Sequence, residues 1–317
     1  MYEMNLPWVE SPFFAQILKA KNLTSADAKI ATEYNEKGYV VLQNIFSDQL
    51  IENIKKDMLE KGFNPDYPIE TARNEVRIQD LWLKSESVQQ MAIHPEIIKT
   101  LEMLYDREVI PFQTLNFKVG SQQMAHSDTM HFSCLPARYM CGVWVALEDI
   151  TEENGPLFYY PGSHKTPEYD FSHFKNTLED NSYENYPEYE KFIEQLMDVS
   201  PYKKEKFLAK KGDALIWSSN IVHGGSAVID PQSTRFSQVT HYYFKDCVYY
   251  TPMLSNMATK ELFLRRFLVN IRNGETLVNN WNSKPTRFMR TRDQLFTINN
   301  HLNLHKYLRW IAAKLSK

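Results

Sequence analysis

Two residues near the middle of the chain, His126 and Asp128, could bind a metal ion together. Alternate residues of a strand point to one side, so on a strand their imidazole and carboxylate would face the same point. One more imidazole would complete a 2-His-1-carboxylate set, which binds Fe(II) and leaves positions open for a co-substrate and O2. Because the chain has 9 His and 39 Asp and Glu residues, such a pair also arises by chance. The interpretation therefore depends on residues further along.

The third predicted ligand is His223, which precedes Gly224 and Gly225. Glycines let backbone or ligand approach closely. Downstream, Arg235 and Ser237 would share one face of a predicted strand, and a guanidinium beside a hydroxyl suits a carboxylate. The sequence thus predicts a metal triad with an anion clamp. This combination fits 2-oxoglutarate, with its 2-oxo-carboxylate end on Fe(II) and its distal carboxylate on Arg235.

Further residues are predicted to line this pocket. Trp144 would form an apolar wall, and Asn116, with Lys118 on the same face of the preceding strand, could reach the carboxylates of the co-substrate. His131 is interpreted as pocket wall, and His164 as part of a turn. The sequence leaves open whether His241, on the face of Arg235, enters the pocket or the core.

The elements that must position these residues change from helical to β along the chain. Helices are predicted to begin near Ser25 and Ser47, on either side of a strand at 38–42, and a further helical segment spans 87–104 with an interruption at His94-Pro95. Short strands separated by turns follow at 109–119, 140–147, 156–160, 214–217 and 235–243. This pattern predicts a mainly β fold with flanking helices and a double-stranded β-helix (jelly-roll, cupin-like) core.

We predict one jelly-roll domain over 1–250 and a C-terminal helical extension over 251–317. Within the domain, the acidic, tyrosine-rich stretch 165–200 is predicted to be a partly helical, lid-like insertion, whose charge would suit a cationic or polar substrate. The helical prediction for the extension depends on apolar spacing after Pro252. The basic, amphipathic end, 305–317, is predicted to be a surface helix, with association at a membrane surface as the alternative.

Composition narrows the function classes. The 317 residues are 43% hydrophobic, with a net charge of -3, so no basic field indicates nucleic-acid binding. Three scattered cysteines (Cys134, Cys141 and Cys247) predict neither a disulfide framework nor a zinc site. No signal peptide or membrane span is predicted. We therefore expect a cytoplasmic protein that acts on a small-molecule or carrier-linked substrate.

Over roughly 27–245 the chain resembles the phytanoyl-CoA hydroxylase-like family of Fe(II)/2-oxoglutarate oxygenases. The matching stretches are His126-Ser-Asp128, Trp144-Val-Ala-Leu-Glu-Asp-Ile-Thr151, Glu153-Asn-Gly-Pro-Leu157, Pro161-Gly-Ser-His-Lys165, Gly212-Asp213, His223-Gly-Gly225 and Arg235. The resemblance implies that His126, Asp128 and His223 bind iron. It also implies that Arg235 and Trp144 contact 2-oxoglutarate. Asn116-Phe-Lys118 looks like an Asn-Tyr-Lys stretch of ectoine hydroxylases, which implies a co-substrate contact at Asn116.

The reaction that this resemblance implies is hydroxylation of a C–H bond, with release of succinate and CO2. Related halogenases carry a small residue in place of Asp128, so its presence favours hydroxylation. Alternatives are desaturation or epimerisation on the same fold, a non-catalytic cupin-like binding protein, and a zinc or manganese isomerase, which would not need Arg235. Substrate selection is predicted to involve 165–200 and, upstream and around the pocket, Arg73, Arg77, Met130, His131 and Tyr139.

Overall fold

Short antiparallel strands make up most of the fold. The computed structural model describes residues 4–62, 77–174, 182–257, 259, 261–281 and 284–285. The strands in these ranges are β1 (Tyr39–Leu42), β2 (Arg77–Gln79), β3 (Val109–Phe117), β4 (Ser133–Leu135), β5 (Met140–Ala146), β6 (Leu157–Tyr159), β7 (Glu205–Phe207), β8 (Ala214–Ser218), β9 (His223–Gly225), β10 (Ser237–Phe244), β11 (Val248–Tyr250), β12 (Asn280–Trp281) and β13 (Lys284–Pro285). The α-helices are α1 (Phe14–Ala20), α2 (Ser25–Lys37), α3 (Asp48–Asp57), α4 (Glu86–Ala92), α5 (Pro95–Tyr105) and α6 (Tyr186–Val199).

Two antiparallel sheets face each other. The large sheet has the order β1-β8-β5-β10-β3-β2, and the small sheet has the order β7-β6-β9. β4 pairs with β11, and β12 pairs with β13. One buried apolar cluster combines Leu115 and Trp144 of the large sheet with Leu157 and Phe207 of the small sheet. This arrangement confirms the predicted jelly-roll fold, and the predicted strand bounds agree with the observed ones within two residues.

The central strands are buried on both faces, which explains their continuous apolar sequences. Every residue of β3, β5 and β10 is buried. The outer face of the large sheet packs against helices α2 to α5 in a second cluster, which includes Val143 of β5 and Leu101 of α5. A β-bulge between His241 and Tyr242 lies opposite Pro111, which has no N–H to donate to the ladder.

Capping residues set the helix boundaries. Ser47 caps α3 by accepting a hydrogen bond from the Leu50 N–H, as its position before an apolar run predicts. The cap of α2 is Thr24, one residue before the predicted Ser25. The helix then ends at Gly38, whose φ of 81° is the left-handed conformation that glycine adopts freely. α5 begins at Pro95, at the predicted interruption.

The acidic insertion covers the outer face of the small sheet. Its helix α6 buries Tyr189, Ile193 and Met197 against Phe158 and Val222. The described part of the insertion is therefore partly helical, as predicted. Its action as a lid stays a prediction, and residues 175–181 lie outside the described ranges.

The helical prediction for the C-terminal region is wrong over 251–281, where the described residues form no α-helix. The chain instead runs back along β11: the Thr251 N–H donates to the Phe263 carbonyl, and the Arg265 N–H donates to the Tyr249 carbonyl. Hydrogen bonds to β11 thus satisfy backbone groups of this segment in an extended conformation. The predicted helix at 305–317 lies outside the described residues, and the division at 250/251 stays a prediction.

None of the helices in the described ranges is long and apolar enough to cross a membrane. The cytoplasmic location stays a prediction.

Candidate metal and co-substrate site

The three predicted metal ligands meet between the two sheets. One donor atom from each of His126, Asp128 and His223 lies within 4.8 Å of the other two, and all three residues are buried. Asp128 Oδ1 is 4.0 Å from His126 Nε2 and 3.9 Å from His223 Nε2. Two imidazoles and one carboxylate at this spacing can share one first-row metal ion.

A short bridge and a turn bring the ligands together. His126 and His223 form an isolated antiparallel bridge, in which each N–H donates to the other's carbonyl at 2.9 Å. The predicted strand does not continue through Asp128, which begins a 3-10 turn over Asp128–Met130. Ser127 is extended, and its hydroxyl caps the turn and donates to the Ser219 carbonyl. The carboxylate is therefore fixed by the turn and not by strand alternation.

Backbone carbonyls orient both imidazoles. His126 Nδ1 lies 2.8 Å from the Met124 carbonyl, and His223 Nδ1 lies 3.1 Å from the Ile221 carbonyl. A carbonyl can only accept, so each Nδ1 carries the proton and each Nε2 keeps its lone pair for a metal. Burial lowers the pKa of His126 to about 3, which keeps this ring neutral.

Trp217 holds the carboxylate ligand in place. Its indole N–H donates to Asp128 Oδ2 at 2.8 Å, which leaves Oδ1 toward the two ligand imidazoles. Burial by itself would raise the pKa of Asp128, but His223, His241, His126 and the indole N–H together lower it below its usual value. Asp128 is therefore ionised and oriented as a single-oxygen ligand.

A glycine makes room for that indole. Gly142 lies opposite Trp217 on one side and His241 on the other, and a Cβ at position 142 would come within 2.4 Å of the indole ring. The sequence analysis did not assign Trp217 to the site. Its role depends on the register of β5 against β8, and a glycine within an apolar strand was the one sequence signal of such a close approach.

Replacing Trp217 with phenylalanine should weaken metal binding about 10–100-fold, the usual effect of losing a partner that orients a metal ligand. The phenyl ring would still pack over Gly142, but Asp128 would lose its hydrogen bond. Isothermal titration calorimetry with Mn(II) measures the change. The control is Trp82→Phe, because the Trp82 indole N–H is buried without a partner in the described ranges and lies outside the cavity. Equal Mn(II) affinities of wild type and Trp217→Phe would rule out this role.

The predicted anion clamp presents buried donors without partners. Arg235 is 1% exposed, and neither its Nε nor its Nη1 has a hydrogen-bond partner among the described residues. The same holds for Ser237 Oγ and Trp144 Nε1. The guanidinium carbon lies 5.7 Å from the Trp144 ring centre and 5.8 Å from that of Phe117. Burial lowers the pKa of Arg235 to about 10, so it stays a cation at neutral pH.

Unpaired buried donors are costly, so their concentration here favours an anionic ligand. The Arg235 N–H donates to the Lys118 carbonyl at 2.8 Å, and β10 itself begins at Ser237. Val239 and His241 of β10 line the cavity, and Ser237, two residues before Val239, shares their face of the strand. A small dicarboxylate with one end at the metal ligands fits these donors.

The structure places Asn116 away from this space. Leu115 and Phe117 line the cavity, so Asn116, between them, points to the opposite face of β3. Its amide donates to Gln238 Oε1, and Gln238 in turn donates to the Val88 carbonyl of α4. The predicted co-substrate contact at Asn116 is therefore not available in this structure.

One cavity of about 190 Å³ is lined by His126, Asp128, His223 and Arg235 together. The lining also includes three residues that the sequence analysis associated with the pocket, and one from the acidic insertion: His131, His241, Trp144 and Tyr183. His241 thus enters the pocket, with Nε2 3.8 Å from Asp128 Oδ2.

Other predicted pocket residues lie elsewhere. His164 is in a 3-10 turn, Ser163–Lys165, near the Asn35 carbonyl, in agreement with its predicted turn role. Met130 packs in the cluster beneath α6, and Tyr139 stacks on Arg107. Neither lines the cavity, whereas Arg77 does. Arg73 lies outside the described residues.

Comparison with known proteins identifies a matching family and several relatives. Residues 34–236 match the family model described as phytanoyl-CoA dioxygenase (PhyH). Peroxisomal phytanoyl-CoA dioxygenase of Rattus norvegicus is 24% identical over 249 residues, covering 68% of each chain. Ectoine dioxygenase of Sphingopyxis alaskensis is 26% identical over 226 residues, covering 64% of this chain and 72% of the relative.

The fold has solved counterparts. The crystal structure of EctD from S. alaskensis with 2-oxoglutarate and 5-hydroxyectoine superposes with a TM-score of 0.53 and 19% identity, covering 73% of this chain and 79% of that one.

Proposed function

The chain belongs to the phytanoyl-CoA dioxygenase (PhyH) family, and from this premise we propose that it hydroxylates a C–H bond of a small molecule or carrier-linked metabolite. It is an Fe(II)- and 2-oxoglutarate-dependent dioxygenase. One observation carries the proposal: the cluster of His126, Asp128 and His223 shares a cavity with the unpaired guanidinium of Arg235. A zinc or manganese isomerase on the same fold would not need the arginine.

The residues around the cavity would have two roles, metal binding and co-substrate binding. The Nε2 atoms of His126 and His223 and Oδ1 of Asp128 would hold Fe(II). Arg235 would receive the distal carboxylate of 2-oxoglutarate, with the Ser237 hydroxyl and the Trp144 N–H as further donors. Iron, 2-oxoglutarate and O2, when bound, supply the oxidation that converts a C–H group to an alcohol, with succinate and CO2 as the other products. The chain itself orients these reactants and excludes water between its sheets.

Asp128 favours hydroxylation over halogen transfer, because the carboxylate takes the position that a halide would need. The Trp217 indole N–H donates to Asp128 Oδ2, which holds the carboxylate with Oδ1 near the two ligand imidazoles. Phytanoyl-CoA and ectoine, the compounds in the names of the relatives, are the first substrates to test.

The test begins with anaerobic titration of the protein with Fe(II) and then 2-oxoglutarate, which should give a weak visible charge-transfer band. Oxygen and a substrate panel are then added, and succinate and hydroxylated product are measured. Substrate-dependent succinate in equal amount to an alcohol product supports the proposal. A band without succinate across the panel would favour the non-catalytic alternative, and absence of both metal and 2-oxoglutarate binding would refute the site.

A further inference from the structure

Two more arginines line the cavity, away from the clamp. Arg77 comes from β2, at the edge of the large sheet, and lies opposite Phe117 in the neighbouring strand. Arg265 comes from the extended segment that runs along β11. Gln79, which also lines the cavity, shares the face of Arg77. Two separate parts of the chain thus bring positive charge to one space.

Arg265 is held in a fixed position. Its Nη1 lies 3.2 Å from Thr251 Oγ1, and its guanidinium carbon lies 4.7 Å from the ring centre of Phe132. Its Nε is buried and has no hydrogen-bond partner in the described part of the chain. Stacking and hydrogen bonds from Nη1 therefore orient the guanidinium while the Nε donor stays unused, an arrangement that suits recognition of an anion.

The charges around the cavity do not balance. Among the described residues of the lining, Asp128 is the one carboxylate, and the metal site uses it. Arg235 is matched by the distal carboxylate of 2-oxoglutarate. Neither Arg77 nor Arg265 forms an ion pair within the described ranges. Two cations of the cavity lining are therefore left without a negative partner among the described residues.

Both arginines lie close to His131, on the wall of the cavity. Burial is the main cause that lowers the pKa of His131 to about 4, and the charges of Arg77 and Arg265 act in the same direction. The Arg265 guanidinium also reaches the His131 carbonyl, at 3.5 Å. The two arginines thus flank the same part of the cavity wall, next to the metal ligands.

We propose that Arg77 and Arg265 bind an anionic group of the substrate, a carboxylate or a phosphate, and so place an attached apolar part near the metal site. This inference rests on the proposed function of the cavity. It replaces the expectation of a cationic substrate, because no Asp or Glu of the described part of the 165–200 insertion lines the cavity, whereas Tyr183 does.

The test uses full-length protein loaded with Mn(II) and saturating 2-oxoglutarate, whose binding is measured first. Octanoate, octyl phosphate, octanol and octylamine are then titrated by isothermal titration calorimetry. At least one anion should bind at least about tenfold more tightly than the alcohol and the amine. Preference for octanoate identifies a carboxylate site, and preference for octyl phosphate identifies a phosphate site.

Arg77→Gln and Arg265→Gln should each weaken binding of the preferred anion about tenfold and leave the affinity for 2-oxoglutarate unchanged. Arg77 is exposed, so its variant should fold even if Arg265→Gln does not. Arg272→Gln, in the same C-terminal segment and outside the cavity, is the control.

Any one of these results would overturn the inference: no binding of either anion, binding of octanol or octylamine as tight as that of the anions, or an anion preference that survives in a double variant that combines Arg77→Gln with Arg265→Gln. Loss of 2-oxoglutarate binding in Arg265→Gln would also overturn it, because Arg265 would then belong to the co-substrate clamp. Failure of the wild type to bind 2-oxoglutarate counts instead against the proposed function, so the two failures are distinct.

Discussion

Asp128→Ala and His223→Ala should each abolish measurable metal binding and all succinate formation. Losing a direct ligand should exceed the about 10–100-fold cost of losing a residue that only orients one. Asp128 also supplies the one negative charge among the described residues of the cavity lining, so its removal leaves the imidazoles and three arginines of the lining without a carboxylate. Mn(II) calorimetry and the anaerobic Fe(II)/2-oxoglutarate band measure the loss.

The matched control is His173→Ala, since His173 is partly exposed in the insertion and does not line the cavity. Thermal unfolding of the metal-free proteins shows whether each variant keeps the fold. A folded Asp128→Ala or His223→Ala protein that binds Mn(II) as tightly as wild type would exclude the assigned ligand set.

Arg235→Met should weaken 2-oxoglutarate binding by about 2 kcal/mol or more, which is about 30-fold or more in Kd. Mn(II) affinity should not change, because Arg235 lies outside the ligand set. Without 2-oxoglutarate, this variant should be at least as stable as wild type, since it replaces a buried, unpaired cation with an apolar side chain of similar length. The 2-oxoglutarate affinity of Arg235→Lys should lie between those of wild type and Arg235→Met, because an ammonium keeps the charge but cannot form the paired hydrogen bonds of a guanidinium.

Lys118→Met is the control for charge near the clamp. Lys118 lies beside Arg235 through its backbone carbonyl, but its side chain does not line the cavity. We expect its 2-oxoglutarate affinity to equal that of wild type. If Lys118→Met lost the co-substrate and Arg235→Met kept it, the clamp would be wrongly assigned.

Family-level patterns predicted the fold, which the structure confirms, and three candidate metal ligands, which the structure brings together. The sequence analysis selected its candidates by residue type and by their order along the chain, and neither criterion requires the strand register. These candidates are His126, Asp128, His223 and Arg235. Asn116 shows where this approach failed. Asn116 was predicted from the similarity of a three-residue motif. Strand alternation in β3 turns its side chain away from the cavity, whereas the neighbouring Phe117 lines it.

Apolar spacing was also ambiguous after Pro252. Leu264 and its neighbours fit a helix, but backbone pairing with β11 holds them extended. Only this pairing brings Arg265 to the cavity, so the anionic subsite could not be predicted from local sequence. The spacing of apolar residues reflects only local conformational preference, and backbone pairing with a distant strand can override that preference.

The sequence alone predicted a jelly-roll, which the structure confirms, together with three donors for a metal and a guanidinium for an anion, because short apolar strands between turns and the order of polar residues can be read along the chain. The tertiary structure decided which residues support them. Trp217 orients Asp128 only because β8 pairs with β5 at Gly142, and His241 faces the metal ligands only because β10 lies between β3 and β5. These contacts join residues distant in the chain, and strand register, which no single strand's sequence contains, sets them.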